Sequence, residues 1–384
     1  MQLASQKWRR LFAPVVFAAS VLTGLQARSV SDAGRHARRS AIGQHDHQKF
    51  RRPHWLDEQS AARETRTVSE HSSFIDLAGQ FERGSVLFRK TFTPSNGLGP
   101  EFNGTSCASC HNTPTMGGSG GAHAVVDWVY QGADDQLGSP GVRFRLDANG
   151  NTIPLISTTT VRRRPPTLFG IGLLGTIPDE ELRSRNDPFD DDHDGISGRL
   201  PTRFGCVARF GWQSTTCDID SFVVWALSNE LGILSTPKRR REISDDDLAA
   251  LVAYVRQLPA PPSAASSEGS EIFERVLCAK CHIPFTGTAR QNGRAFPVRA
   301  YTDLLLHEMG SGKRDGERAS RTEFRTPPLW GVGTTGPAYL HDGSAKTLQD
   351  AIVRHDGEAA RSRELYGALP ADQKQRLLRF VASR

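Results

Sequence analysis

Hydrophobic and polar positions divide this chain before any motif is considered. Residues 11–24 are largely apolar and follow the basic residues Lys7, Arg9 and Arg10, and Leu25-Gln26-Ala27 offers a cleavage point, so 1–27 reads as a secretory signal peptide. Residues 28–75 are rich in Arg, His and Ser with no apolar period and read as a flexible leader. Further on, helical periodicity takes over. Leu248, Leu251, Val252 and Val255 share one face of a helix expected over 246–258, with Ser244 as its N-cap. Leu377, Leu378 and Val381 mark another over 372–382. Between them lies Pro259-Ala-Pro-Pro-Ser-Ala-Ala-Ser-Ser267, an aperiodic linker that separates a first domain, 76–260, from a second, 264–384.

The two halves repeat each other weakly. Gly84-Ser-Val-Leu-Phe88 in the first matches Gly269-Ser-Glu-Ile-Phe273 in the second, each a short helix. Arg164-Pro-Pro-Thr-Leu-Phe-Gly-Ile-Gly172 likewise matches Arg325-Thr-Pro-Pro-Leu-Trp-Gly-Val-Gly333. The first half is the longer and carries insertions.

Charge excludes some classes. The formal net charge is +6, but three basic residues lie in 1–27, and nine Lys/Arg against six Asp/Glu lie in 28–75, so the chain from 76 onward is close to neutral. A basic terminus of this kind is ordinarily solvated, and nucleic-acid binding is not indicated. The apolar run at 11–24 is short for a membrane span and no later stretch approaches the required length, so no transmembrane segment is expected in the mature chain.

The candidate chemistry sits in Cys107-Ala-Ser-Cys110-His111 and Cys278-Ala-Lys-Cys281-His282, 171 residues apart. In Cys-x-x-Cys-His two thiols can add to the two vinyl groups of one haem while the histidine reaches the iron. The competing readings are zinc ligands or a thiol pair. Two motifs behind an export signal point to two covalently bound c-type haems in the periplasm. The order helix, haem motif, loop, helix then fits a mainly α fold of two duplicated cytochrome c-like domains, each binding one haem, with loop-rich insertions in the first.

With these residues in place, the chain resembles the bacterial di-haem cytochrome c peroxidase and MauG-like superfamily, in its di-haem oxidoreductase branch, often labelled "thiol oxidoreductase". The likeness runs from about residue 80 onward through GLGPEFNGTSCASCH, PPTLFGIGLLGTIP, DDDHDGISGR, RFGW, YTDLLLHEMG, RTPPLWGVG and AYLHDGSAKTLQDAIVRHDGEA. Thioether formation would consume the sulfurs, so a thiol-redox role is not expected. The resemblance implies a periplasmic peroxidase-like oxidoreductase with a reactive first haem and an electron-transferring second. It also implies hydrogen peroxide as small substrate and a small redox protein or quinol-derived electron donor as partner. A pure electron carrier and a MauG-like oxidase of a protein partner are the alternatives.

The resemblance also suggests ligands beyond His111 and His282. In the peroxidases the second haem's distal methionine lies fourteen residues after the His of a His-Asp-Gly motif, and counting from His341 reaches His355. His355 would make this centre bis-His, with a lower potential than His/Met, unless it is a surface residue at a helix end. His307 and His341 would bond propionates or backbone around that haem. Met309 is another possible distal ligand, and Met116 is too close in sequence to His111. His123, in a glycine-rich loop, matches the displaceable distal histidine of the peroxidases; otherwise the first iron is open, as in MauG-like members. Glu180 and Glu181 are candidates for proton transfer during O–O cleavage. Trp128, Trp212 and Trp330 are either inter-haem relays or core.

Two further features complete the reading. Asp190-x-Asp192-x-Asp194-Gly195 begins like a calcium loop, but Pro201 stands where the bidentate Glu would be, so a solvated acidic loop is the competing reading. The relatives hold a calcium ion between domains, which the Thr326 to Pro328 carbonyls would serve here. Cys206 and Cys217, left over after haem attachment, are expected to form a disulfide in an oxidising compartment.

Overall fold

In the first half, a long helix carries its apolar side chains as a stripe and lays them on a second helix. Helix α1 (Ser72–Arg89) turns Phe81, Leu87 and Phe88 inward, where they meet Tyr254 and its neighbours; the Phe88 and Tyr254 ring centroids are 5.1 Å apart. That partner, α6 (Asp245–Gln257), starts one residue earlier than its apolar period suggests. Ser244 caps it by accepting from the Asp247 N–H at 3.1 Å, and three aspartates occupy its first turn. The computed structural model describes residues 72–129, 141–156, 160–203, 205–233, 242–262, 267–291, 293–310 and 322–384. The signal peptide and all but the last residues of the leader lie outside the described residues.

Between α1 and α6 the chain forms α2 (Cys107–Cys110), α3 (Ile171–Gly175), α4 (Asp179–Arg183) and α5 (Ile219–Glu230). After them come α7 (Ser270–Arg275), α8 (Leu348–Val353), α9 (Ala360–Gly367) and α10 (Ala371–Ala382). α7 and α10 pack through Phe273 and Phe380, with ring centroids 5.3 Å apart, and through Leu377 and Val381. The pairing of α7 with α10 mirrors that of α1 with α6.

Glycines make the parallel concrete. A methyl group on Gly84 would overlap the Ala250 carbonyl of α6, and one on its counterpart Gly269 would crowd the Arg376 carbonyl and Phe380 of α10. At the ends of the two Pro-rich turns, a methyl on Gly172 would overlap the Arg256 carbonyl, and one on Gly333 the Ala382 carbonyl. Both repeated segments therefore need glycine where a closing helix passes.

The expectation of a mainly α chain needs correction. The structure is 36% helix and 14% strand, the strands being two to five residues long and antiparallel. Glu101–Phe102, Phe144–Leu146 and Thr152–Pro154 form one small sheet. Leu306–Glu308 pairs with Glu323–Arg325, and Gly287–Gln291 with Arg294–Val298. The halves also share a core instead of parting cleanly at the linker. Leu174, Ile177, Leu182 and Val207 pack with Ala289, Val298, Leu304 and Trp330 in one apolar cluster. Cys206 and Cys217 are disulfide-bonded, with Cα atoms 6.1 Å apart. Among the described residues, no helix is long and apolar enough to cross a membrane.

The tight crossing of α1 and α6 sets a stability test within one helix. Gly84→Ala should destabilise the holoprotein by about 1–3 kcal/mol through overpacking. Gly79→Ala in the same helix, with no atom near the added methyl, should instead stabilise by about 0.5–1 kcal/mol. Denaturant midpoints check the pair, and equal effects at the two positions would contradict the crossing.

Candidate functional site

The first Cys-x-x-Cys-His motif is wound into α2, whose N-cap Ser106 accepts from the Ser109 N–H at 3.0 Å. This turn points Cys107, Cys110 and His111 into a cavity walled by Phe88, Leu168, Leu227, Leu251 and Val255. The His111 ring donates from Nδ1 to the Gly118 carbonyl at 3.0 Å, and the Pro166 carbonyl also lies against it. Burial lowers its pKa to about 4, so it is neutral near pH 7. A neutral ring that donates through Nδ1 carries its lone pair on Nε2, the form that binds a metal.

The second motif forms a tighter turn over Cys278–Lys280 and opens on a larger cavity. The geometry of the first histidine is repeated here. His282 donates from Nδ1 to the Tyr301 carbonyl at 3.0 Å, and burial lowers its pKa. The four motif cysteines are unpaired with one another, and burial pushes Cys107 and Cys278 up to about 12. Such thiols hold no appreciable thiolate at neutral pH, which argues against a thiol–disulfide redox pair.

A second histidine of the same half of the chain also lines the second cavity. His355 follows the end of α8 and donates from Nδ1 to the Ala351 carbonyl at 2.8 Å, the same tautomer again. Met309 and His341 line this cavity too, His341 stacked on Phe324 at 4.0 Å. His307 also reaches its wall, but not as a propionate or backbone partner. Its Nε2 faces Asp303 and its Nδ1 faces Glu358, both at 2.8 Å. The first cavity differs: among the described residues lining it, His111 is the one histidine and there is no methionine.

Buried arginines provide the test of fit for haem. Arg164 and Arg325 open the two Pro-rich turns, both are buried, and desolvation lowers each to about 10. Arg164 lines both cavities; it donates to Ser119 Oγ at 2.6 Å, and its Nε is buried without a partner. Arg325 donates to the Gly211 and Thr326 carbonyls at 3.0 and 3.1 Å. A guanidinium in an apolar wall calls for an anionic partner, which the propionates of a haem would supply. Apolar walls, thiol pairs, neutral imidazoles and these cations all fit that group.

Other expected site residues fall elsewhere. His123 is exposed, with Nε2 3.1 Å from Asn112 Oδ1, and lies outside both cavity walls. Glu180 is exposed and Glu181 accepts from the Thr288 N–H at 2.8 Å; neither is among the residues lining these two cavities. The carboxylate in the first cavity wall is Glu230, at the end of α5, accepting from Asn103 Nδ2 at 2.9 Å. Its setting in Asn229-Glu230-Leu231 carries no motif that would have found it. Trp212 lines both cavities and donates to the Arg164 carbonyl at 2.8 Å, whereas Trp330, in the shared core, lines the second alone. The Trp128 side chain lies outside the described residues.

The acidic loop is also rearranged. Asp187, Asp190 and Asp192 bring carboxylate oxygens within 4.8 Å of one another, while Asp194 pairs with Lys280 of the second haem motif. The carbonyls at Thr326 are engaged by Arg325 and by the Thr302 hydroxyl, at 2.6 Å from the latter.

Residues 236–384 match the family model described as "Di-haem oxidoreductase, putative peroxidase". Among solved structures the chain is similar to hydrazine synthase from Kuenenia stuttgartiensis, at 18% identity over 94% of this chain and 100% of that one, with a TM-score of 0.43. It is also similar to a MauG-like protein associated with microbial copper homeostasis, at 18% identity over 79% of this chain and 88% of that one, with a TM-score of 0.40. No curated protein matches the chain in sequence. The matched region takes in the second Cys-x-x-Cys-His motif, and it is residues 236–384 of this chain that are similar to that di-haem oxidoreductase family.

Proposed function

We propose that the protein is an exported, periplasmic di-haem c-type oxidoreductase of peroxidase-like activity, with a reactive centre at His111 and an electron-transferring centre at His282. The observation that carries this reading is an asymmetry. The second cavity is lined by a second histidine in ligating tautomer, His355, and the first by none among its described residues. Haem bound in the two cavities would supply an open iron for peroxide in the first and a six-coordinate iron for electron transfer in the second. Cys107 and Cys110, with Cys278 and Cys281, would anchor the two groups, and Arg164 and Arg325 would neutralise their propionates.

The chain's own work lies around these positions. Glu230 is the carboxylate placed to hold or pass a proton in the first cavity, with Asn103 orienting it. The apolar walls exclude water. Trp212 and Phe222 border both cavities, the two aromatics among the described residues that line both. A hard cation such as calcium would find Asp187, Asp190 and Asp192 rather than the set containing Asp194. Export rests on the pattern of residues 1–27.

Peroxide consumption by the half-reduced holoprotein, followed with optical spectra, tests the reading. Turnover with a small reductant is expected; no consumption would leave an electron carrier, and oxidation without turnover of small reductants would favour an oxidase of a protein partner. Glu230→Gln should lower the rate of peroxide reduction by about 10²–10⁴-fold with the haem spectra retained. A wild-type rate in that variant would remove Glu230 from proton transfer.

A further inference from the structure

We propose that Glu358 is a positioning residue for the second haem: held by His307 and Ser197, it fixes the segment that carries His355 over the cavity containing His282. The inference rests on the proposed ligation by His355.

His355 follows a helix of only six residues, and the Ala351 carbonyl sets its ring orientation without setting where the helix end lies. Three residues later, Glu358 accepts four hydrogen bonds from outside that helix. The Ser197 hydroxyl and the Glu308 N–H reach Oε1 at 2.7 and 3.1 Å. The Ser197 N–H and His307 Nδ1 reach Oε2 at 3.1 and 2.8 Å. Ser197 belongs to the first-half insertion, whereas His307 and Glu308 belong to the strand Leu306–Glu308. The intervening main chain is docked as well: Gly357 has a left-handed φ of 61°, and a methyl group there would overlap the Glu308 carbonyl.

This anchor connects the two sides of the cavity. His307 Nδ1 lies 3.7 Å from Cys281 Sγ, beside His282, while its Nε2 is held by Asp303 at 2.8 Å. Contacts therefore run from the covalent anchor of the proximal side through His307 and Glu358 to the segment of His355. Both ring nitrogens of His307 face carboxylate oxygens, so the ring donates from both; burial works against its charge, but the bonds to Asp303 and Glu358 raise its pKa. Burial likewise works against Glu358, and the bonds from His307, Ser197 and Glu308 outweigh it to hold the carboxyl at about 2. A buried ionic group of this kind stands only with its partners in place, and removing one leaves the others uncompensated. A helix end with no ligand to place has no need of such an anchor, whereas a metal ligand must be held to within about 0.5 Å. Cys281, Asp303 and His307 also bring possible metal-binding atoms together, but Cys281 is committed to the haem and both His307 nitrogens are engaged.

Electron paramagnetic resonance and redox titration of the holoprotein test the proposal with His355→Ala, Glu358→Gln and Ser197→Ala. His355→Ala is expected to abolish the low-spin signal of the second haem. Glu358→Gln should convert part of it to high-spin and displace that haem's midpoint potential, with the signal of the first haem unchanged. Ser197→Ala, which keeps the His307–Glu358 ion pair, should give the same change in smaller proportion, and it decides the matter if Glu358→Gln does not fold. If His355→Ala turns the haem high-spin while Glu358→Gln, or Ser197→Ala in its place, keeps the wild-type signal and potential, positioning by Glu358 is overturned and ligation stands. If His355→Ala leaves the low-spin signal intact, ligation and positioning fall together.

Discussion

One hydrogen bond, from an imidazole Nδ1–H to a backbone carbonyl, organises the candidate centres. It is made by His111 to Gly118, by His282 to Tyr301 and by His355 to Ala351. In each case the bond selects the tautomer with its lone pair on Nε2 and stops the ring from turning. The rest of the fold can be understood as the framework for those three carbonyls. Gly118 lies in the glycine-rich loop after the first motif, Tyr301 beside the hairpin after the second, and Ala351 in the last turn of α8. The crossings of α1 with α6 and of α7 with α10 supply the apolar walls against which the rings are held.

Charge is placed with equal economy. The two Pro-rich turns each begin with a buried arginine, Arg164 or Arg325, where an apolar cavity would otherwise tolerate none. A pair of prolines, directly after Arg164 and one residue after Arg325, suits a segment that must leave regular structure to deliver the guanidinium inward. The shared lining of Arg164, Pro166, Gly211 and Trp212 brings the two cavities side by side. That adjacency depends on the core common to both halves, with Leu174 and Ile177 packed against Leu304 and Trp330. A chain whose halves separated at the linker would lose it.

Much of this was legible in the sequence, for physical reasons that differ by feature. Cys-x-x-Cys-His is local, so the two motifs stand out in the sequence, and the structure turns each into a cavity wall. The helix at Asp245–Gln257 and its Ser244 cap follow from an apolar period and one side-chain oxygen. The repeat was visible as similar strings, although only the contacts explain why Gly84 and Gly269 recur. What could not be seen depends on distance along the chain. Glu230 enters the first cavity because α5 lies across it, while Glu180 and Glu181 sit in the short α4, Glu180 exposed and Glu181 bonded to Thr288 of the Gly287–Gln291 strand. The partners of His307 come from Asp303, Glu358 and, through Glu358, Ser197, and no spacing rule joins these. Asp194 leaves its acidic neighbours for Lys280, a partner 86 positions away. The strands are too short to show an alternating pattern, so a helical reading was correct for the haem-flanking elements and incomplete for the insertions.

The central claim is that the two centres are unlike because their cavities offer different ligands. Electron paramagnetic resonance of the fully oxidised holoprotein tests it most directly. The account predicts one high-spin ferric signal, from the haem held by His111, and one low-spin signal, from the haem held by His282 and His355. Two low-spin signals, with no high-spin component, would contradict it.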